Sequence, residues 1–214
     1  MQILLARHGE TPWNAEGRYQ GHRDIPLSSV GEGQARALGK RLQDVHITHA
    51  VSSPLSRAQQ TALFALGPNR EHMLKTDKNL SELSHGTWEG LLASDVQAVD
   101  PQGLSAWQNA PHTVVMPEGE SLAILQERAW RGFTNAVAAL HDNDLLLLVA
   151  HDAVNRVLLS KIMGLPLSQF WRFRQAPTTL NLLEGSSLDQ LYVVRINDCT
   201  HHTSLFGEAK HRAL

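Results

Sequence analysis

Arg7 and His8 stand side by side directly after the apolar run Ile3-Leu4-Leu5-Ala6, in the segment Arg7-His8-Gly9-Glu10-Thr11. A buried strand ending on this pair delivers a cation and an imidazole to the carboxyl edge of a sheet, where open α/β folds bind their ligands. The guanidinium can grip a phosphate or carboxylate through two parallel hydrogen bonds. The neutral imidazole is a competent nucleophile at physiological pH. A lone histidine is more often a satisfied structural residue, so it is the pairing and its place in the chain that single this one out.

Two further segments repeat the arrangement. In Val149-Ala150-His151-Asp152-Ala153-Val154-Asn155-Arg156 an apolar run again ends on a histidine, with a helix expected at once. Asp152 suits the cap of that helix, whose amino terminus adds positive potential. Ser52-Ser53-Pro54-Leu55-Ser56-Arg57-Ala58 reads as a strand end and helix start, the serine capping open amides and the proline at the first helical position. Arg57 then falls in the first turn, well placed for an anion. An isolated arginine in such a run would otherwise be read as a solvated surface residue.

The opening motif with the following Trp13 and Asn14, the run Ser53–Ala62, the run Leu80–Gly90 and the segment beginning Val149 together resemble, in order, the motifs of the histidine phosphatase superfamily (phosphoglycerate mutase-like). The resemblance covers about Ile3 to Ile196. It implies that His8 attacks a phosphoryl group held by Arg7, Asn14, Arg57 and His151, with His151 also a member of the catalytic set. It implies as well that Glu82 protonates the leaving alkoxide and then activates water. For that role the Glu82 carboxyl must titrate near neutrality, and a bound phosphoryl group pushes it that way. Glu89 is the rival donor, with a structural carboxylate as its other reading. The chain departs from the family at Ser81, often arginine there, and at Asp152, often glycine or serine. Asp152 could orient His151 or repel substrate.

The loop Arg18-Tyr19-Gln20-Gly21-His22-Arg23 supplies the expected substrate pocket in Gln20, Gly21, His22 and Arg23, against the plainer roles of packing and turn geometry. The implied substrate is a small phosphorylated metabolite: a sugar phosphate, phosphoglycerate, phosphoserine or ribazole phosphate. The stretch Leu83–Met116 is compact and lacks the tyrosine-containing signature of bisphosphoglycerate-dependent mutases. Phosphomonoester hydrolysis is therefore expected, with phosphoglycerate mutase activity as the alternative. A non-catalytic phosphate-binding or partner-binding module is disfavoured because His8, Glu82 and both arginines are present. No cofactor and no metal are expected. The strand-end histidines, with His201-His202 as extra ligands, do not read as a metal site, because arginines oppose a cation and no close histidine pair with carboxylates appears.

At 214 residues, 42% hydrophobic and 19% charged, the chain fits one large domain with a sizeable core. Nineteen basic against 21 acidic side chains leave a formal charge of −2, which provides no global field for nucleic acid or an anionic membrane. The single cysteine, Cys199, suits a reducing compartment. The longest apolar run, Leu145–Ala150, is far short of the ~20 residues of a membrane helix. A cytoplasmic protein is expected, and a homodimer is the default assembly because symmetric dimers are commonest.

Strands are expected at Ile3–Ala6, around Ala50-Val51 and at Leu145–Ala150, with a closing hairpin of Thr179–Leu183 and Leu191–Ile196 around Gly185-Ser186-Ser187. Ala35, Leu38, Leu42 and Val45 recur at helical spacing behind a turn at Gly31–Gly33. Leu122, Leu125, Ala129, Phe133, Ala136 or Val137, and Leu140 trace a longer helix. This alternation predicts a three-layer α/β/α sandwich with a mostly parallel central sheet. Residues 1–214 form one domain, with about 86–117 as a small cap inserted after the second phosphate-binding motif.

Overall fold

The computed structural model describes residues 1–203. Its core is a six-stranded mixed sheet of β1 (Gln2–Arg7), β2 (His49–Ser52), β3 (Leu74–Thr76), β4 (Leu145–Ala150), β5 (Leu180–Glu184) and β6 (Tyr192–Asp198), in the order β3-β2-β4-β1-β5-β6. The first four are mutually parallel, and β5 and β6 extend the sheet as an antiparallel hairpin.

The continuous apolar runs of β1 and β4 are explained by what covers them. Successive strand side chains point to opposite faces, and here both faces are dry. Ile3, Leu5, Leu146 and Leu148 enter one apolar cluster with Leu125 and Phe133 of α6 (Leu122–Val137) and Val154 and Val157 of α7 (Asp152–Ile162). Leu4, Ala6, Leu147 and Val149 enter a second cluster with Leu38 of α2 (Ser29–Arg41) and Ala58 and Ala62 of α3 (Ser56–Leu66). Two helix pairs sandwiching one sheet give the expected three layers.

Several boundaries differ from the sequence pattern. Helix α2 starts at Ser29, with Ser28 Oγ accepting from Gly31 N at 3.0 Å, so Gly31 and Gly33 lie inside the helix and not in a preceding turn. Gly31 is needed for contact: a Cβ there would stand 2.0 Å from Glu10 O, and one on Gly9 2.6 Å from Gly31 O. Helix α3 starts at Ser56 without a Ser-Pro cap. Its open amide is met from another loop, by Asp24 Oδ1 accepting from Ser56 N at 2.7 Å and from Ser56 Oγ at 2.8 Å. The short half-exposed strand β3 carried no sequence signal. Between Gly86 and Pro117 the chain forms two short helices, α4 (Ala93–Val99) and α5 (Pro101–Asn109). Their Val96, Leu104 and Trp107 join the cluster that covers β1 and β4.

Candidate active site

Register brings the two histidines together. Arg7 pairs with Ala150 across the parallel β1–β4 ladder, and His8 N donates to Ala150 O at 3.0 Å. The next residue of each strand is a histidine, and their rings meet edge to face with centroids 5.0 Å apart. Both are buried. His8 Nδ1 lies 2.6 Å from Gly9 O. A carbonyl can only accept, so in the neutral ring Nδ1 carries the hydrogen and Nε2 the lone pair.

Arg57, in the first turn of α3, reaches back over the same strand ends. Its Nη1 donates to Arg23 O at 2.8 Å and its Nη2 to Gly21 O at 2.9 Å. Arg7 Nη1 donates to Gln175 O at 2.5 Å. Burial lowers both guanidinium groups from their ordinary value, with Asp152 and Glu82 opposing it at Arg7; Arg57, at about 10, remains a cation at neutral pH. The Nε of Arg7, the Nε of Arg57 and both ring nitrogens of His151 are buried with no hydrogen-bond partner among the described residues. Buried polar atoms are rarely left so, and three groups in this condition around one imidazole form a site ready for an anion. Burial, and then Arg57, His8 and Arg7, push the His151 imidazole well below its usual value, so it is neutral.

Arg7, His8, Asn14, Arg57 and Glu82 line one cavity of about 30 Å³. Asn14 belongs to a capping box on α1 (Pro12–Glu16), its Oδ1 accepting from Thr11 N at 3.0 Å. Glu82 is buried, with Oε1 accepting from Leu83 N at 2.9 Å. Burial raises its carboxyl above the ordinary range and Asp152 adds to the shift, against the Leu83 amide, Arg57 and Arg7. Glu89 has a different job. Its Oε1 accepts from His22 N at 2.9 Å and His85 N at 3.3 Å, and its Oε2 pairs with Arg23 at 3.6 Å. It ties the pocket loop to the Glu82 segment, which is the structural reading.

Of the predicted pocket wall, Gln20 and Gly21 line the cavity, whereas His22 and Arg23 do not. Gly21 has φ +54°, and a Cβ there would stand 2.0 Å from Glu89 Oε1, so this turn requires glycine. His22 Nε2 lies 2.9 Å from Glu82 O, and Arg23 is exposed.

Asp152 does not cap α7. His151 holds the cap position without a side-chain bond, and Asp152 is the first helical residue, paired with Arg156 at 2.9 Å and Arg7 at 3.4 Å. His201 and His202 fasten the loop behind His8. His201 Nε2 lies 3.2 Å from Thr178 Oγ1 and His202 Nε2 2.9 Å from Pro177 O, while Thr178 N donates to His8 O at 3.2 Å. Among the described residues no three histidine, cysteine or acidic side chains are grouped as a metal would require, and no helix is long and apolar enough to cross a membrane.

The sequence pattern singles out none of His85, Tyr19 and Arg128, although Tyr19 lies in the loop expected to wall the pocket. His85 and Tyr19 line the cavity with ring centroids 5.0 Å apart. Burial and the nearby His22 lower His85 to about 3, which keeps it neutral. Arg128, on α6, donates to the carbonyls of Asn79 (3.0 Å), Ser81 (2.6 Å) and Glu82 (2.7 Å), holding the segment that carries Glu82. The faint signal was a charged residue inside the apolar stripe of α6, between Leu125 and Ala129.

The family model described as the histidine phosphatase superfamily (branch 1) matches residues 3–198. The chain is 32% identical over 214 residues to "Phosphoserine phosphatase 1" of Hydrogenobacter thermophilus, covering all of both chains. It is 35% identical over 175 residues to "Probable phosphoglycerate mutase GpmB" of Erwinia tasmaniensis, covering 81% of this chain and 80% of that one. Among solved structures it matches Bacillus stearothermophilus YhfR with a TM-score of 0.87 at 30% identity, covering 94% of this chain and 98% of the other. With the motifs gathered at one sheet edge and the match running the length of the fold, the chain belongs to the histidine phosphatase superfamily, branch 1.

Proposed function

We propose that the protein hydrolyses a small phosphomonoester through a phosphohistidine on His8. The observation that carries this reading is the set of buried nitrogens without partners on Arg7, Arg57 and His151 around the His8 ring. They match the equatorial oxygens of a transferring phosphoryl group, whose charge they offset.

In the first step His8 Nε2 forms the N–P bond as the bond from phosphorus to the ester oxygen breaks. Glu82 gives its proton to that oxygen, so an alcohol leaves and not an alkoxide. In the second step Glu82, now a carboxylate, takes a proton from water, whose oxygen attacks phosphorus. The N–P bond breaks, inorganic phosphate leaves, and His8 and Glu82 return to their starting forms. Splitting the reaction matters because phosphate monoesters are among the slowest substrates known in water. Two arginines in a buried site supply the charge stabilisation that a metal would otherwise provide, and metal-independent turnover is expected.

The similarity to a protein named phosphoserine phosphatase puts phosphoserine first among the compounds to try. We read the compact 86–117 segment as the cap of this site. Hydrolysis is favoured over isomerisation because this segment is short.

The test is phosphate release from phosphoserine, 3-phosphoglycerate, sugar phosphates and p-nitrophenyl phosphate with EDTA present, with isomerisation of 3-phosphoglycerate followed in parallel. Release that survives EDTA and is lost in His8→Ala is the expected result. Isomerisation without release overturns the hydrolase reading in favour of a mutase.

A further inference from the structure

Asp152 has no part in the scheme above, yet it lines the cavity with Glu82 and His8. A carboxylate beside a site for a phosphate dianion opposes binding, and this one does not repay that by capping its helix. It is also firmly held. Its Oδ2 accepts from Arg156 Nε at 2.9 Å, and its Oδ1 lies 3.4 Å from Arg7 Nη1. Arg156 is buried in turn, its Nη1 donating to the carbonyls of Phe170, at 3.1 Å, and Phe173. Its guanidinium sits over the rings of Phe170 and Trp171, at 5.4 and 5.2 Å. The result is a rigid line of charge from the Phe170–Phe173 segment through Arg156 and Asp152 to Arg7.

We infer that Asp152 is a positioning residue for proton transfer: clamped by Arg156, it orients Arg7 and places a fixed negative charge beside Glu82, so that Glu82 still holds its proton when substrate arrives. The inference rests on the reading of Glu82 as the acid. The groups facing Glu82 are Arg7 from β1, Arg57 from α3 and Asp152 from α7. Arg128 from α6 and His22 hold its main-chain carbonyl, and His85 shares its cavity. Of these Asp152 alone is anionic. The two arginines favour the carboxylate and burial favours the acid, and Asp152 adds to burial, because opposite charge favours the carboxylate and like charge disfavours it. The Asp152–Arg156 pair is close to neutral as a unit, so it biases Glu82 locally without adding net negative charge to the phosphate site.

The test is the titration of Glu82 itself, read from the infrared band of its protonated carboxyl, identified as the band missing in Glu82→Gln. In Asp152→Asn the midpoint at which this band vanishes should fall by about one pH unit. Asp152→Ser carries the same expectation should the asparagine variant not fold. An unmoved midpoint in a folded variant overturns the inference. The hydrolysis of phosphoserine by Glu82→Gln separates the two levels of the argument. An unmoved midpoint beside slow Glu82→Gln turnover refutes the role of Asp152 alone. Wild-type turnover by Glu82→Gln refutes the acid role, and the role of Asp152 with it.

Discussion

Arg128→Met probes how Glu82, the proposed proton donor, is held in place. Methionine keeps the packed aliphatic stem and removes the guanidinium. In the wild type that group makes a two-pronged pair with Glu120, Nε to Oε1 and Nη2 to Oε2, both at 2.7 Å, besides its three bonds to carbonyls. Burial pushes the Glu120 carboxyl up, but hydrogen bonds from Arg128 and the Ser84 amide outweigh it and hold Glu120 below its ordinary range. The two side chains are only 16% and 17% exposed. Breaking a fully buried pair costs about 3–5 kcal/mol. Water reaches the edge of this one, so the lower end applies, about 3 kcal/mol. In a chain of this size that lowers Tm by roughly 6–12 °C. Glu82 loses its main-chain anchor at the same time, and a misplacement of about 1 Å costs on the order of 10²-fold in turnover. Urea unfolding and phosphoserine hydrolysis measure the two effects. A loss below about 1 kcal/mol with wild-type turnover would show that Arg128 is a surface ion pair of little worth, and the argument for a held donor would fail.

Other consequences are as specific. Glu82→Gln should slow phosphorylation of His8 by an alkyl phosphate by about 10²–10⁴-fold and the initial burst of nitrophenolate from p-nitrophenyl phosphate much less, because nitrophenolate leaves without a proton; equal losses in the two first steps would remove Glu82 from the acid role. Asp152→Ala strands Arg156 in a buried setting and should destabilise the fold by about 3–5 kcal/mol in chemical denaturation. His85 gives a pH signature. Its folded value of about 3 lies below the ordinary 6.5, so below pH 6.5 the unfolded chain binds a proton that the native one refuses. Stability should therefore rise with pH, and be lost as pH falls, by about 1.4 kcal/mol per unit for this group between those values. His85→Gln should remove that contribution, and an identical slope in wild type and variant would contradict it.

The parts of the site readable from sequence are those in which chemistry and strand end are contiguous. Arg7-His8 and His151 announce themselves because an apolar run leads straight into them, and parallel register then does the rest. Arg57 was legible through its helix start, although the cap came from Asp24, 32 residues away, which no local pattern reports. What stayed hidden depends on long-range closure. Arg128 acts on Glu82 from 46 residues away, and Glu89 reaches back 67 residues to His22. Asp152 looked like a helix cap because caps are a local rule, and only the fold brings Arg7 to it. Gly31 looked like a turn because glycine is ambiguous, and only the backbone contact with Glu10 explains it.

The proposed mechanism requires a covalent phosphohistidine. Protein mixed with phosphoserine and denatured within milliseconds at alkaline pH, where phosphohistidine survives, should yield a peptide containing His8 heavier by one phosphoryl group, absent from His8→Ala. With p-nitrophenyl phosphate, whose leaving group needs no proton, the label should accumulate in Glu82→Gln, whose hydrolytic step lacks its base. Turnover of phosphoserine with no label on His8 under these conditions would contradict the mechanism and leave water attacking the ester directly.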